Sequence, residues 1–161
     1  MSQPSMEQVW EELNRVMDPE IPVVSLVELG IVRAVGYEGE QLVVTLTPTF
    51  AGCPALEVMK TAVLERMREL GLGSVLLRTV LSPPWTTDWI VPEARQKLKA
   101  FGLAPPALHG GDVEILFAEQ AACPYCDSDD TVLKNSFGPT PCRAIYFCNS
   151  CRQPFEQFKP L

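Results

Sequence analysis

The cysteines form the clearest chemical pattern in this sequence. Four of the six make two Cys-x-x-Cys pairs, Cys123 with Cys126 and Cys148 with Cys151. Two such pairs joined by a hairpin-length segment are typical of a structural tetrahedral zinc site, and the segment here is only slightly longer than usual. We therefore predict a zinc ribbon in which these four cysteines bind zinc. An iron–sulfur cluster or a redox-active pair is the alternative.

The part of the chain that carries these pairs differs in character from the rest. After Ala118 the sequence has few apolar side chains besides its cysteines. Such a short segment cannot bury enough apolar surface to fold alone, so metal binding is expected to supply folding energy. We therefore predict two domains, residues 1–118 and residues 119–161.

A fifth cysteine, Cys53, lies in the segment Thr47–Pro54 between a strand-like apolar run and a helical pattern. Pro54 suits the first position of a helix, where its missing N–H is no loss. We therefore expect Cys53 at or near the N-cap, where the helix dipole favours a thiolate that acts as a nucleophile or metal ligand. The alternative is a buried cysteine that packs as a small apolar residue. The sixth, Cys142, could pack under the ribbon or serve as a spare thiol near Cys53.

The elements that must position these cysteines follow from the periodicity of the apolar residues. The predicted order is helix, two strands, helix, strand, helix and strand, which indicates an α+β domain of four strands with helices on one face. The predicted elements are Ser5–Met17, opened by a capping box, Ile31–Tyr37, Gln41–Thr47, the helix from Pro54 to Gly71, Ser74–Leu81, Pro92–Phe101 and Val113–Phe117.

Two loops contain residue types that are unusual for simple connectors. Asp18–Pro22 is an acidic turn that ends the first helix, because a residue before proline avoids the helical region. Trp85 and Trp89 flank two threonines in a proline-braced loop, and we expect at least one indole to plug the core. His109, the only histidine, is expected to be an ordinary surface residue of a loop rich in proline and glycine.

The composition excludes several classes of protein. Hydrophobic residues make up 47% of the chain. Its net charge of −7 makes the chain unsuited to general nucleic-acid binding, because the phosphate backbone is also negative. No apolar run approaches the roughly 18 residues of a membrane span. The first residues also lack the basic and apolar regions of a signal peptide. We expect a soluble cytoplasmic protein whose cysteines are reduced, which favours metal ligands over disulfides.

Several short motifs occur together in the order found in a known family. Asp18–Pro22, Leu29–Val32, Thr47–Pro54 and Trp85–Trp89 resemble the iron–sulfur cluster assembly domain of SufT-like and cytosolic iron–sulfur targeting proteins. With the four-cysteine ribbon and the segment Phe137–Cys142, the chain is similar to the PaaD family. These are accessory proteins of the bacterial phenylacetyl-CoA epoxidase system in aerobic phenylacetate degradation. The resemblance implies a two-layer α/β sandwich followed by the zinc ribbon.

The resemblance also implies a function and a set of site residues. It implies an assembly factor, not an enzyme, that delivers a transient iron–sulfur cluster or iron to the reductase or oxygenase component of the epoxidase system. Cys53 matches the cysteine that holds the cluster, shared across a homodimer or with the client's own cysteines. The other matching positions are the acidic Asp18 and Glu20 and the polar Thr49, Thr86 and Thr87.

Two other functions compete with this interpretation. A non-catalytic docking subunit of the oxygenase complex would use the ribbon as its contact surface, and Cys53 would only pack. A cysteine-dependent enzyme or thiol redox protein would need a base beside Cys53, and nothing in the sequence places His109 there. We rank the assembly factor first and the docking subunit second.

Overall fold

The computed structural model describes residues 3–161, whose backbone forms two compact units, one ending at Trp85 and the other beginning at Thr86. Residues 1 and 2 lie outside this range. The prediction that the N-terminal segment is not a signal peptide falls partly on them. The helices are α1 (Met6–Leu13), α2 (Leu56–Glu69), α3 (Pro92–Ala100) and α4 (Val113–Leu116), with a 3₁₀ turn at Thr87–Trp89. The strands are β1 (Val32–Glu38), β2 (Gln41–Leu46), β3 (Val75–Thr79), β4 (Leu103–Ala104), β5 (Thr131–Asn135), β6 (Arg143–Cys148) and β7 (Pro154–Phe158).

The first helix begins where the sequence predicts it. Ser5 Oγ accepts the N–H of Gln8 at 3.2 Å, and Gln8 Oε1 accepts the N–H of Ser5 at 2.9 Å. This capping box pairs N–H groups that a helix start otherwise leaves open. The helix ends earlier than predicted, because Asn14 Oδ1 accepts the hydroxyl of Ser25 at 2.6 Å and Met17 then bridges Ser25. The chain after Asn14 therefore pairs with a loop instead of continuing the helix.

A mixed sheet forms the centre of the first unit. Its order is β1-β2-β3, with β1 and β2 antiparallel and β3 parallel to β2. The parallel pair needs a crossover, and α2 provides it. Alternate side chains of β2, Leu42, Val44 and Leu46, are fully buried, as are Val9 of α1 and Val63 of α2. The core therefore lies between this sheet and the two helices, as the alternating pattern of β2 predicts.

The second unit is built on the sheet that carries the cysteine pairs. Its order is β4-β7-β6-β5, and β6 pairs antiparallel with both of its neighbours. The short β4 adds a parallel edge next to β7. Before it, α3 starts with Pro92 in its first turn and is followed by Gly102 at φ +89°, as predicted. A left-handed glycine at this place ends a helix without steric strain.

The last strand predicted for the first domain is wrong. Residues 113–116 form the short helix α4, because Asp112 caps it by accepting the N–H of Glu114 at 2.8 Å. The side chains of Val113 and Phe117 are 63% and 83% exposed, so this apolar run does not line a core. Within residues 3–85 the sheet has three strands instead of the four expected.

The mixed α/β class with a C-terminal four-cysteine ribbon is confirmed. Trp85 is buried, and its Nε1 donates to the carbonyl of Leu29 at 3.0 Å, so one indole does plug the core. The backbone divides after Trp85, whereas the domain boundary after Ala118 rests on sequence character and stays a prediction. No helix within residues 3–161 has the length and apolar composition needed to cross a membrane.

Candidate metal centre

The structure brings the four paired cysteines together. Their sulfur atoms all lie within 4.8 Å of one another. The 3.6 Å distances from Cys123 Sγ to Cys151 Sγ and from Cys126 Sγ to Cys148 Sγ run across the two pairs. Four ligands at Zn–S bonds of about 2.3 Å in a tetrahedron have sulfurs about 3.8 Å apart, so this set fits a zinc ion. The arrangement is that of one four-sulfur site, not of two separate redox pairs.

The two cysteine pairs have the same backbone turn. The carbonyl of Cys123 accepts the N–H of Asp127 at 2.9 Å, and the carbonyl of Cys148 accepts the N–H of Arg152 at 3.0 Å. Asp127 and Arg152 both have a left-handed backbone, with φ of 60° and 63°. We call these two turns the knuckles, Cys123–Asp127 and Cys148–Arg152. Because the two knuckles have the same turn, each directs its two sulfurs to one shared centre.

The protein surroundings of the sulfurs favour ionisation of one of them. The N–H of Cys151 points at Cys148 Sγ at 3.5 Å and lowers the pKa of Cys148 to about 7. Burial raises the pKa of Cys151 to about 12. Four thiolates this close repel one another without a cation, whereas a dication offsets their charge. Metal binding at this centre therefore displaces protons.

Cys53 lies near the start of α2 but is not its N-cap, which is Ala55, and Pro54 precedes the helix instead of taking its first position. Its N–H donates to the carbonyl of Phe50 at 3.1 Å, and its own carbonyl accepts the N–H of Leu56 at 3.2 Å. Pro54 and Ala55 form the middle of this second turn, and Ala55 has φ −80° and ψ −9°, typical of a type I turn. Proline is favoured at the second position of such a turn, so α2 begins only at Leu56. The Cys53 side chain is half-buried.

The acidic positions of the first unit differ in their surroundings. Asp18 is 6% exposed, and its Oδ1 accepts the N–H groups of Glu20 at 2.8 Å and Ile21 at 2.9 Å. Glu20 is exposed, and Thr49 is half-buried on the segment that leads to Cys53. One Asp18 oxygen is thus used to hold its own turn, as expected for a segment that ends a helix.

Thr86 and Thr87 belong to the second unit, where both contact Leu161. The Thr86 hydroxyl donates to the main-chain oxygen of Leu161 at 2.8 Å, and the N–H of Thr87 donates to the same oxygen at 3.0 Å. Thr87 is fully buried. The sequence offers no local signal for this contact, because it joins residues far apart in the chain.

The expectation that His109 is an ordinary surface residue is wrong. Its side chain is 6% exposed, and Nε2 lies 3.0 Å from both the main-chain oxygen of Leu161 and the Thr86 hydroxyl. The loop folds inward because the Asp88 carboxylate accepts the N–H of His109 at 3.0 Å and that of Gly110 at 2.7 Å. Burial raises the pKa of Asp88, but these two N–H groups outweigh it and lower the pKa below its usual value.

Cys142 packs in the second unit, near the ribbon sheet. Its side chain is 8% exposed, and its sulfur lies 3.1 Å from Thr140 Oγ1.

The sequence does not predict the left-handed backbone of Asp127 and Arg152. Aspartate tolerates that conformation, which is a weak signal, whereas arginine gives none.

Two family models match this chain, one in each part. Residues 6–75 match the model described as "Iron-sulfur cluster assembly protein". Residues 113–159 match the model described as "PaaD zinc beta ribbon domain". The second match contains all four clustered cysteines.

Solved structures resemble part of the chain. A domain of unknown function from Bacillus anthracis has a TM-score of 0.52 at 27% identity, over 57% of this chain and 89% of that one. A conserved hypothetical protein from Thermotoga maritima has a TM-score of 0.52 at 28% identity, over 61% of this chain and 98% of that one.

One curated relative matches along nearly its full length. It is an Escherichia coli (strain K12) protein whose name describes it as a putative subunit of 1,2-phenylacetyl-CoA epoxidase, and it is 42% identical over 156 residues. The match covers 97% of this chain and 93% of the relative. Because this likeness spans both parts of the chain and the ribbon model matches within it, the chain belongs to the PaaD family.

Proposed function

We propose that this protein is a cytoplasmic assembly factor, not an enzyme, that delivers an iron–sulfur cluster or iron to the phenylacetyl-CoA epoxidase system. The name of the Escherichia coli relative supports the link to that system. The match of residues 6–75 to a model of iron–sulfur cluster assembly proteins supports the link to clusters. The proposed clients are the reductase and oxygenase components.

The observation that carries this proposal is the setting of Cys53. Its half-buried thiol has exposed neighbours along the chain, Ala51, Gly52 and Pro54. A Cβ added to Gly52 would meet nothing within 4 Å, so there is open space beside the turn. An accessible thiol outside the four-sulfur centre suits a carrier, which must bind its cargo and then release it.

Cluster transfer from such a site is an exchange of ligands. The iron–sulfur bond to Cys53 breaks as a client cysteine thiolate bonds to the same iron, and the proton released by the client thiol passes to Cys53 Sγ. No oxidant or reductant is needed. A second Cys53 from another copy of the chain, or a client cysteine, would complete the coordination of the bound cluster.

The remaining matching residues receive supporting roles in this proposal. Asp18 and Glu20 would stabilise the bound iron through the negative charge of their carboxylates. Thr49, Thr86 and Thr87 would supply polar contacts around the cargo. The contact of both threonine residues with Leu161 gives Thr86 and Thr87 a structural task as well.

The resident metal is proposed to be zinc, held by Cys123, Cys126, Cys148 and Cys151. The sulfur separations and the closed set of four thiols fit a structural site with no open position. The ion would supply folding energy to the ribbon and take no part in cluster transfer.

The test is a metal analysis of the protein purified without oxygen, for the wild type, Cys53→Ala and the control Cys142→Ala. We expect one zinc per chain in all three, and iron and sulfide after reconstitution in all but Cys53→Ala. Coexpression with the epoxidase components should then give clients of reduced cluster content only with Cys53→Ala. Fully loaded clients with that variant would rule out the carrier role of Cys53.

A docking subunit of the epoxidase complex is the second candidate, favoured by an apolar surface. Leu108, Val113 and Phe117 are 65%, 63% and 83% exposed, which is unusual for large apolar side chains so close in sequence. This function predicts a stable complex with the epoxidase that Phe117→Ser weakens and Cys53→Ala leaves intact. Co-elution from a sizing column with each variant separates the two candidates.

A further inference from the structure

Several donors converge on one main-chain oxygen, that of Leu161. They are the Thr86 hydroxyl at 2.8 Å, the Thr87 N–H at 3.0 Å and His109 Nε2 at 3.0 Å. The N–H of Leu161 in turn donates to Thr87 Oγ1 at 3.2 Å. This one main-chain oxygen therefore holds both threonines at once.

The imidazole of His109 is oriented by its own loop. The N–H of Gly111 donates to Nδ1 at 2.9 Å, so the neutral ring carries its proton on Nε2, the nitrogen that faces Leu161. The Asp88 carboxylate holds the loop through the N–H groups of His109 and Gly110. Since Asp88 follows Thr87 directly, the loop and the threonine turn brace each other.

Leu161 is itself fixed by the ribbon sheet. It follows β7, in which Phe155 and Phe158 are buried, and the N–H of Lys159 donates to the carbonyl of Cys142 at 2.9 Å. Just before β7, the carbonyl of Gln153 accepts the N–H of Cys148 at 2.9 Å. The chain is therefore held from the second knuckle to the residue that the threonines bind.

We propose that His109 and Leu161 are positioning residues that hold the Thr86–Thr87 turn and tie it to the ribbon sheet. This inference rests on the proposed function in one respect, because that function uses Thr86 and Thr87 at the cargo site. The turn itself is a property of the second unit alone, and its order can be measured without iron.

Amide hydrogen exchange of the zinc-loaded, iron-free protein tests the inference. In His109→Leu, which lacks the Nε2 donor, the amides of Thr87 and Trp89 should exchange at least about tenfold faster than in the wild type. His109→Gln, whose side-chain amide can donate in place of Nε2, should restore most of the protection. The amide of Phe101, which bonds within α3 at 3.0 Å, serves as the reference and should not change.

A second variant keeps the test decisive if His109→Leu does not fold. A chain truncated after Pro160 lacks Leu161, which is 37% exposed, and should release the same two amides. Unchanged exchange at Thr87 in this variant overturns the inference, as does equal acceleration at Phe101, which would mean general unfolding. Neither result depends on iron, so a failure of the proposed function would appear separately, in the Cys53→Ala analysis.

Discussion

Single residues decide the shape of the two knuckles, and Arg152 is the clearest case. It adopts φ 63° at the place that Asp127 holds in the first knuckle. A left-handed backbone costs a side-chain-bearing residue roughly 1–2 kcal/mol, and a glycine avoids this cost. The sequence therefore accepts strain at a position that aims Cys148 and Cys151 at the metal centre.

This strain predicts opposite effects for two neighbouring glycine substitutions. Arg152→Gly should raise the free energy of unfolding of the zinc-loaded protein by about 0.5–1 kcal/mol. Gln153→Gly, at a residue without a positive φ, should lower it by a similar amount, because glycine adds freedom to the unfolded chain. Denaturant unfolding of both variants measures the difference. Equal losses in the two would contradict the role of the left-handed position.

The carboxylate of Asp18 has a structural task that can be separated from a role in binding iron. Its Oδ1 accepts two backbone N–H groups, and the residue is 6% exposed. Asp18→Ala should cost roughly 1–3 kcal/mol of stability, because those N–H groups lose their acceptor. Asp18→Asn keeps an acceptor oxygen without the charge and should stay close to the wild type in thermal unfolding.

The same pair of variants then reports on the cargo site. If the charge of Asp18 stabilises bound iron, Asp18→Asn should fold normally and bind less iron after reconstitution. Normal iron content in Asp18→Asn would restrict Asp18 to holding the turn from residue 18 to residue 21. The Cys53→Ala protein provides the zero level for this iron measurement.

At the scale of elements, the ribbon should release its metal on acidification. Four thiols must lose protons to bind the ion, so protons compete with it as the pH falls. The lowered pKa of Cys148 changes stability in the same direction. The stability that its thiolate contributes is fully present above the ordinary cysteine pKa of 9.0 and is lost as the pH falls through about 7.

We expect the zinc affinity to fall at least tenfold for each unit of pH lost between about pH 8 and about pH 6. Competition with a chromogenic chelator at each pH measures it. Cys53→Ala should give the same curve, because Cys53 is not among the four clustered cysteines. A curve that is flat over this range would mean that the metal is not held by thiolates.

Elements whose signals are local in the sequence could be predicted, and those decided by distant contacts could not. The capping box of Ser5 and the spacing of the four knuckle cysteines act within a few residues, so both were predicted. The apolar run at 113–117 pairs with no strand within residues 3–161, and Asp112 caps it as a helix instead. His109 is buried by a carboxylate 21 positions earlier, which no periodicity reveals.

At the scale of the whole molecule, the two compact units differ in what stabilises them. The first has a core of its own, in which Leu13, Val44 and Leu46 are fully buried. In the second, the ribbon core contains two aromatic side chains, small side chains such as Ala121 and Ala144, and two of the clustered cysteines. Small side chains bury little apolar surface, so we expect the second unit to depend more on a bound metal.

Removal of the metal should therefore melt one unit and leave the other folded. For the unit that begins at Thr86, a melting enthalpy of about 0.7 kcal/mol per residue gives roughly 50 kcal/mol. A strong chelator should lower the calorimetric melting enthalpy by about that much. The fluorescence of Trp85, which is buried in the first unit, should still report unfolding at the original temperature. Substituting Cys148 by alanine should reproduce the effect without chelator, and Cys142→Ala should not. If Trp85 lost its folded signal together with the ribbon, the two units would be one cooperative structure, and the metal would support both.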